Sequence, residues 1–173
     1  ILKAARGEAK LSRRMKLDVE LVRGGNVVCS DCALNDAVIH GYGDCINITA
    51  AFNDDVITAF SGDGVIVSTP TGSTGYSMSA GGPIVEPGAE NIIISSICPH
   101  VLGARSFVLA PDKEISIRTE RLHGRRAYLS VDGNSVCDLR SGDMLRIKRS
   151  ARCTVMAELG NKSFFEIAYS KLI

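Results

Sequence analysis

The sequence predicts an all-β sandwich of about a dozen strands with one short helix. Two observations carry this prediction: short segments of alternating apolar and polar residues recur along the chain, and turn residues separate most of them. The regular succession of strand and helix patterns that βαβ units require is absent from the sequence. We therefore expect one β domain that covers residues 1–173.

The first half of the chain supplies six of the predicted strands. Residues 16–21 alternate strictly, with Leu17, Val19 and Leu21 on one face, and residues 24–26 are a turn signal that predicts a hairpin. The preceding residues 1–14 carry five basic side chains and are predicted as a short helix. Further strands are expected at 27–29, 33–39, 45–51, 56–60 and 65–67, with a turn at 53–55 between two of them.

The second half repeats the pattern of strand and turn. Turns are expected at 132–134, 141–143 and 160–162, where Gly, Asn and Asp concentrate. Strands are expected at 92–94, 107–110, 114–119, 127–131, 144–148, 153–159 and 163–170.

Residues 68–82 form the most unusual stretch, because hydroxyl side chains and glycines follow directly after the apolar run 65–67. Any of Thr71, Ser73 or Thr74 is predicted to cap a short helix that runs through residues 76–78. Such a stretch is either a plain connection or a ligand site. The nearby carboxylate of Asp63, between two glycines, favours the ligand site.

Asn35 and Asp36 interrupt the predicted strand 33–39 with two polar side chains. This interruption is either a turn or bulge, or a site that hydrogen-bonds a ligand, because a carboxylate accepts from a vicinal diol and an amide both donates and accepts.

Three sequence segments together resemble the NAD kinase family. The longest runs from Asp63-Gly64 through residues 69–77 to residues 81–84, and it resembles the signature of the C-terminal domain of that family. Leu34-Asn35-Asp36 resembles the family's substrate-binding pair of Asn and Glu, and residues 97–100 with 105–107 resemble the segment after the helix. The resemblance covers about residues 11–150 and implies a kinase that converts NAD to NADP.

The resemblance also implies which residues bind NAD. Asp36 stands where the family usually has Glu, which shortens the reach of the carboxylate, and Gly75 replaces a common Ala. The implied NAD-binding residues are Asn35, Asp36, Asp63, Thr71, Thr74, Gly75, Tyr76 and Ser79.

The resemblance implies further partners for this chain. The expected phosphate donor is ATP with a divalent metal ion, Mg²⁺, and the expected assembly is a homodimer or homotetramer through the β domain. In the family, an N-terminal α/β domain carries a Gly-Gly-Asp-Gly-Thr motif and the proposed catalytic aspartate, and this motif is absent from the sequence. We therefore expect no catalytic residue and no metal ligand in these 173 residues, and little kinase activity from the isolated chain.

Composition argues against several other classes of protein. With 20 Lys and Arg against 19 Asp and Glu, and no Trp, we expect no nucleic-acid partner. The sequence contains no apolar run of about 18 residues, so no membrane helix is predicted. Cys29 and Cys32 form a C-x-x-C spacing without a second pair, so they are interpreted as reduced structural thiols of a cytoplasmic protein.

Two alternative functions stay open from the sequence. One is a lipid-kinase-like domain with the same architecture, which would not explain Asn35-Asp36 or the match at residues 71–76. The other is a non-enzymatic β-sandwich that binds a dinucleotide or mediates assembly.

Overall fold

The computed structural model describes residues 6, 7, 9–101, 104–120, 122–160 and 162–172, which form two antiparallel six-stranded sheets. The first sheet has the order β2-β1-β12-β9-β4-β5, and the second has the order β11-β10-β3-β6-β7-β8. This architecture confirms the predicted all-β class. The strands are β1 (Lys10–Arg23), β2 (Asn26–Ala33), β3 (Asp36–Gly41), β4 (Ile46–Phe52), β5 (Asp55–Gly62), β6 (Gly64–Ser68), β7 (Ile92–Ile97), β8 (Phe107–Leu109), β9 (Ile115–Thr119), β10 (Ala127–Val131), β11 (Asn134–Leu139) and β12 (Met144–Glu158).

Three of the hairpin connections are two-residue turns with positive φ at both positions. These turns are Gly24-Gly25, Asn53-Asp54 and Asp132-Gly133. Positive φ at both central residues matches the right-handed twist of the flanking strands, which is why Gly, Asn and Asp occupy such turns. The turns predicted at these three places are confirmed.

The main core lies between the two sheets and is built from the inward-facing residues of alternating strands. Leu17, Val19 and Leu21 of β1 are at most 1% exposed, as their alternation predicts. Strand β6 is buried on both faces, because Val65 and Val67 point into the main core while Ile66 packs with Val38 and Ile97 on the outer face of the second sheet. This outer-face cluster supports the segment that follows β6.

The N-terminal prediction of a helix over residues 1–14 is wrong for residues 10–14, which belong to β1. The backbone groups of these residues pair with residues 154–158 of β12, so long-range pairing overrides the weak local helix signal. Strand β12 is likewise one strand of 15 residues and not the two predicted at 144–148 and 153–159. A register shift between Met15 and Leu17 lets the pairing continue past this point. Residues 1–5 lie outside the described part of the chain.

The last predicted strand, at residues 163–170, is a helix. Helix α2 (Phe164–Leu172) begins with a reciprocal capping box: Glu166 N donates to Ser163 Oγ over 3.2 Å, and Ser163 N donates to the Glu166 carboxylate over 2.6 Å. The spacing Ser-x-x-Glu is a helix signal in the sequence that the apolar alternation concealed. Among the described residues, no helix is long and apolar enough to cross a membrane.

The predicted helix after β6 is present but short. A 3-10 turn at Gly72–Thr74 precedes α1 (Tyr76–Ser79), which has only four residues. The expected caps are wrong, since neither helical segment has a side-chain cap and Thr69 Oγ1 instead accepts the hydrogen bond of Gly72 N over 3.1 Å. Ser73 Oγ donates to the carbonyl oxygen of Pro70 over 2.7 Å, so it closes the turn from inside.

Candidate functional site

Two segments that are distant in sequence meet at one end of the second sheet. The link between β2 and β3 carries Asn35, and the segment after β6 carries Thr69 and Gly72. Thr69 N donates to Asn35 O over 2.8 Å, and Thr69 Oγ1 donates to Leu34 O over 2.6 Å. The backbone of Gly72 lies against the backbone of Asn35, and an added Cβ would overlap the Asn35 carbonyl oxygen. The absence of a side chain at Gly72 therefore allows the two segments to touch.

A third segment holds the same link from the opposite side. The carboxylate of Asp132, in the turn between β10 and β11, accepts hydrogen bonds from three consecutive backbone N–H groups: Leu34 over 2.8 Å, Asn35 over 2.7 Å and Asp36 over 3.1 Å. The N–H of Asp132 also donates to Asp36 O over 3.0 Å. The sequence predicted a turn at Asp132, and the structure adds that its side chain fixes the link that contains Asn35 and Asp36.

These three segments surround a cleft of about 450 Å³. Six of the eight residues predicted as binding residues lie together in its lining, although the segments that carry them are far apart in sequence. The lining consists of Asn35, Asp36, Val38, Thr71, Thr74, Gly75, Tyr76, Ser130, Asp132 and Gly133.

The other two predicted residues, Asp63 and Ser79, lie outside this cleft. Ser79 lines a neighbouring hollow of about 550 Å³, and Asp63 lines another of about 340 Å³. Tyr76 lines all three spaces and is 40% exposed, so its ring stands at their common boundary. The predicted residues therefore form one continuous surface around Tyr76 and not a single pocket.

The cleft offers polar atoms that lack partners within the protein. The hydroxyl of Thr71 is buried and has no hydrogen-bond partner among the described residues. Burial and the nearby negative charge of Asp132 raise the pKa of Asp36 to about 6, because both disfavour its ionised form. A ligand that donates hydrogen bonds to this carboxylate and to the Thr71 hydroxyl would relieve both costs.

The raised pKa of Asp36 makes the stability of the fold depend on pH. In the unfolded chain this carboxyl loses its proton near pH 3.8, whereas the folded protein keeps it until about pH 6, so the folded state binds more protons in between. Stability attributable to Asp36 therefore falls as pH rises through this window, by about 3 kcal/mol in total. We expect Asp36→Asn to match wild type near pH 4 and to exceed its stability at pH 7, measured by denaturant unfolding at both values. An equal difference at both pH values would contradict this assignment.

Comparison with known proteins shows to which family the chain belongs. A family model described as the ATP-NAD kinase C-terminal domain matches residues 34–159. The chain belongs to this family. An NAD kinase of Acetivibrio thermocellus is 38% identical over 164 residues, and one of Trichlorobacter lovleyi is 40% identical over 165 residues. Each alignment includes 94% of this chain but only 57% and 58% of the relative, so the chain spans well under two thirds of the length of these NAD kinases.

Solved structures of NAD kinases share the same fold. The crystal structure of yeast NADH kinase complexed with NADH superposes with a TM-score of 0.89 at 28% identity, and it covers 99% of this chain and 51% of that one. The structure of an NAD kinase from Archaeoglobus fulgidus in complex with ATP gives a TM-score of 0.78 at 25% identity, over 99% of this chain and 63% of that one.

Several residues of this cleft were not predicted from the sequence. Val38 and Ser130 alternate with core residues on β3 and β10, and a strand pattern alone does not distinguish a cleft-facing position from an ordinary outer one. His40, which stacks on Tyr76, was not singled out either. Asp132-Gly133 was recognised as a turn, and only the folded chain places it against residues 34–36.

Among the described residues, the cysteines and histidines do not assemble a metal site. In the part of the chain that the structure describes, no three His, Cys, Asp or Glu side chains are grouped in a way that would hold a metal ion. Cys29 packs against the main core, while Cys32 Sγ lies 3.9 Å from Ser150 Oγ, so the two thiols have different surroundings. His100 Nε2 lies 3.2 Å from Cys45 Sγ.

Proposed function

We propose that this chain is the NAD-binding domain of an NAD kinase, and that the cleft around Tyr76 holds NAD as the phosphate acceptor. One observation carries the proposal: a single cleft collects six of the residues that the family resemblance assigns to NAD, from two segments of the chain. A dinucleotide needs such a surface, because it combines two sugar diols, which donate hydrogen bonds, with flat bases that stack on aromatic rings.

Each group in the cleft has a role that fits its chemistry. The Asn35 amide and the Asp36 carboxylate bind the hydroxyls of a ribose, and the exposed face of the Tyr76 ring stacks on a base. The unpartnered Thr71 hydroxyl, with Thr74 and the backbone of Gly75, binds polar edges of the same nucleoside. Asp63 and Ser79, in the hollows on either side of Tyr76, contact the remainder of the dinucleotide.

The reaction that we propose transfers the γ-phosphoryl group of ATP to the 2′-hydroxyl of the adenosine ribose of NAD. Catalysis of phosphoryl transfer depends mainly on positioning and on neutralisation of charge, so the task of this chain is to hold the acceptor hydroxyl in place. A divalent ion, predicted to be Mg²⁺, neutralises charge on the phosphates of ATP when it is bound. We assign no ligand of this ion to the described residues.

The division of labour between domains follows from the same proposal. We assign residues 1–173 to one acceptor-binding β domain, and ATP binding with the catalytic aspartate to an N-terminal α/β domain that carries the Gly-Gly-Asp-Gly-Thr motif. The chain spans 57% of the length of the relative from Acetivibrio thermocellus, which supports this division. The purified 173-residue chain is then expected to bind NAD without appreciable turnover. The homodimer or homotetramer and the cytoplasmic location stay predictions from the sequence.

The test is calorimetric titration of the chain with NAD, together with Asn35→Ala and Tyr76→Ala. Loss of the amide hydrogen bonds, or of the ring that stacks on the base, is expected to raise Kd at least about tenfold. Asn47→Ala, on the first sheet, and Tyr169→Ala, on α2, remove the same side chains elsewhere and are expected to leave Kd unchanged.

Two results would contradict the proposed function. One is absence of saturable NAD binding by the folded wild-type chain. The other is an equal loss of affinity in the Asn47 and Tyr169 controls, because binding would then not depend on the cleft. Binding of NAD without activity even in the longer protein would instead favour the non-enzymatic alternative.

A further inference from the structure

A column of aromatic rings lies on the outer face of the second sheet and ends at the proposed NAD site. The ring of Tyr76 stacks on His40 with centroids 5.5 Å apart and planes 20° apart, and His40 stacks on Tyr128 at 5.6 Å and 18°. Tyr128 in turn contacts Tyr42 at 4.7 Å, and the Arg126 guanidinium lies 4.6 Å from the centre of the Tyr42 ring. Of these residues only Tyr76 lines the cleft of about 450 Å³, and His40 lines, with Tyr76 and Asp63, the hollow of about 340 Å³.

The register of the sheet fixes the middle of this column. His40 of β3 pairs directly with Tyr128 of β10, and directly paired residues project on the same face of a sheet. On its other side His40 pairs with Gly64 of β6, which has no room for a side chain because a Cβ would overlap the Ile39 carbonyl oxygen. The strand residue paired with His40 on one side is therefore a tyrosine, and the strand residue paired with it on the other side has no side chain.

The contacts that fix helix α1 begin after its first residue, Tyr76: Ser77 is fully buried, and its Oγ lies 3.2 Å from Ser95 Oγ. The helix is four residues long and has no side-chain cap, and such a short helix has little stability of its own. The residue after it, Ala80, packs on Val38, Ile66 and Ile97 and thereby anchors the far end. At the near end, the ring of Tyr76 is 40% exposed and rests on His40.

We propose that His40 is a positioning residue for NAD binding, because its ring holds the Tyr76 ring in the orientation that stacks on a base. The inference rests on the proposed function of the cleft. Without His40, the Tyr76 ring would lose its stacking partner, and more of its rotational freedom would have to be lost each time the ligand binds. The His40 ring acts here as a flat surface. Burial lowers the pKa of His40 and so favours the neutral imidazole, and this effect outweighs the negative charge of Asp63, which acts in the opposite direction.

The test is titration with NAD of wild type, His40→Ala, His40→Phe, Tyr76→Ala and the double variant of His40→Ala with Tyr76→Ala. His40→Ala is expected to raise Kd about 3- to 10-fold, the range for ordering one side chain. His40→Phe restores a flat ring without polar atoms and is expected to return Kd to within about 2-fold of wild type. In the Tyr76→Ala background, His40→Ala is expected to have no further effect, because its target is gone.

A measurement without ligand checks the stack itself. His40→Ala is expected to shift the NMR resonances of the Tyr76 ring protons, since they lie beside the imidazole, while thermal unfolding confirms that the variant is folded. Saturable binding by wild type with an unchanged Kd for folded His40→Ala overturns this inference and leaves the proposed function intact. The inference is also overturned if His40→Ala raises Kd by the same factor in the Tyr76→Ala background as in wild type. If wild type binds no NAD, the proposed function and this inference are both overturned.

Discussion

Gly72→Ala is expected to raise the Kd for NAD at least tenfold and to destabilise the fold by about 3 kcal/mol. The added Cβ would overlap the carbonyl oxygen of Asn35 and would lie 2.6 Å from its carbonyl carbon and 2.9 Å from its Cα. All three atoms belong to the backbone, so no side-chain rotation relieves the overlap. The link 34–36 must move, and Asn35 and Asp36 move with it. NAD titration and denaturant unfolding measure the two effects.

Gly75→Ala is the matched control for this prediction. A Cβ at Gly75 meets only one atom, the carbonyl oxygen of Gly72 at 3.3 Å, which requires a shift of a few tenths of an ångström. We expect a stability change of about 1 kcal/mol or less for this variant. If Gly72→Ala were as stable as Gly75→Ala and bound NAD as tightly as wild type, the close contact between residues 35 and 72 would not be required for the site.

Asp132→Ala is expected to have the second largest effect, with a loss of about 3 kcal/mol of stability and of most NAD affinity. Its carboxylate accepts three backbone hydrogen bonds, from residues 34, 35 and 36. Hydrogen bonds to a charged acceptor contribute about 1.5 to 3 kcal/mol when buried, and solvent reduces the sum here because Asp132 is exposed. Without the carboxylate, the link that carries Asn35 and Asp36 loses its support on that side.

Part of the stability lost in Asp132→Ala comes from placing alanine at a backbone position with positive φ. The variant Asp54→Ala measures that part alone. Both aspartates occupy two-residue hairpin turns with positive φ, 47° at Asp132 and 69° at Asp54, where alanine is disfavoured. Asp54 lies in the turn between β4 and β5, on the first sheet. We expect Asp132→Ala to cost about 2 kcal/mol more than Asp54→Ala, and only Asp132→Ala to weaken NAD binding. Equal losses in both variants would assign the whole effect to turn strain.

The sequence predicted most of the sheets because alternation and turn chemistry are local signals. The hairpins at residues 24–25, 53–54 and 132–133 follow from residues that tolerate positive φ, and β6 follows from an apolar run. The errors lie where one local pattern is overridden, by a distant partner in one case and by a second local signal in the other. Residues 10–14 become a strand only because β12 pairs with them, and residues 163–170 become a helix because the capping box outweighs the apolar pattern.

Some features of the candidate site are likewise predictable from the sequence, and others are not. The residue types that suit a dinucleotide, Asn35 and Asp36 together with the stretch 69–77, are visible in the sequence and carry the family resemblance. Their meeting in one cleft, the separation of Asp63 and Ser79 into neighbouring hollows, and the support from Asp132 and His40 are not visible there. These features depend on which strands are neighbours in the second sheet, and strand order is a long-range property.

The sequence by itself therefore determined which side chains are available for the proposed NAD site, and which backbone positions tolerate their turns. Only the tertiary structure decided how those groups act together. The pairing of β3 with β6 and β10 brings residues 35, 72 and 132 into contact, excludes water from Asp36 so that its pKa rises to about 6, and sets His40 against Tyr76. Distances, burial and pKa arise from neighbours in space, and a linear pattern of residues does not contain them.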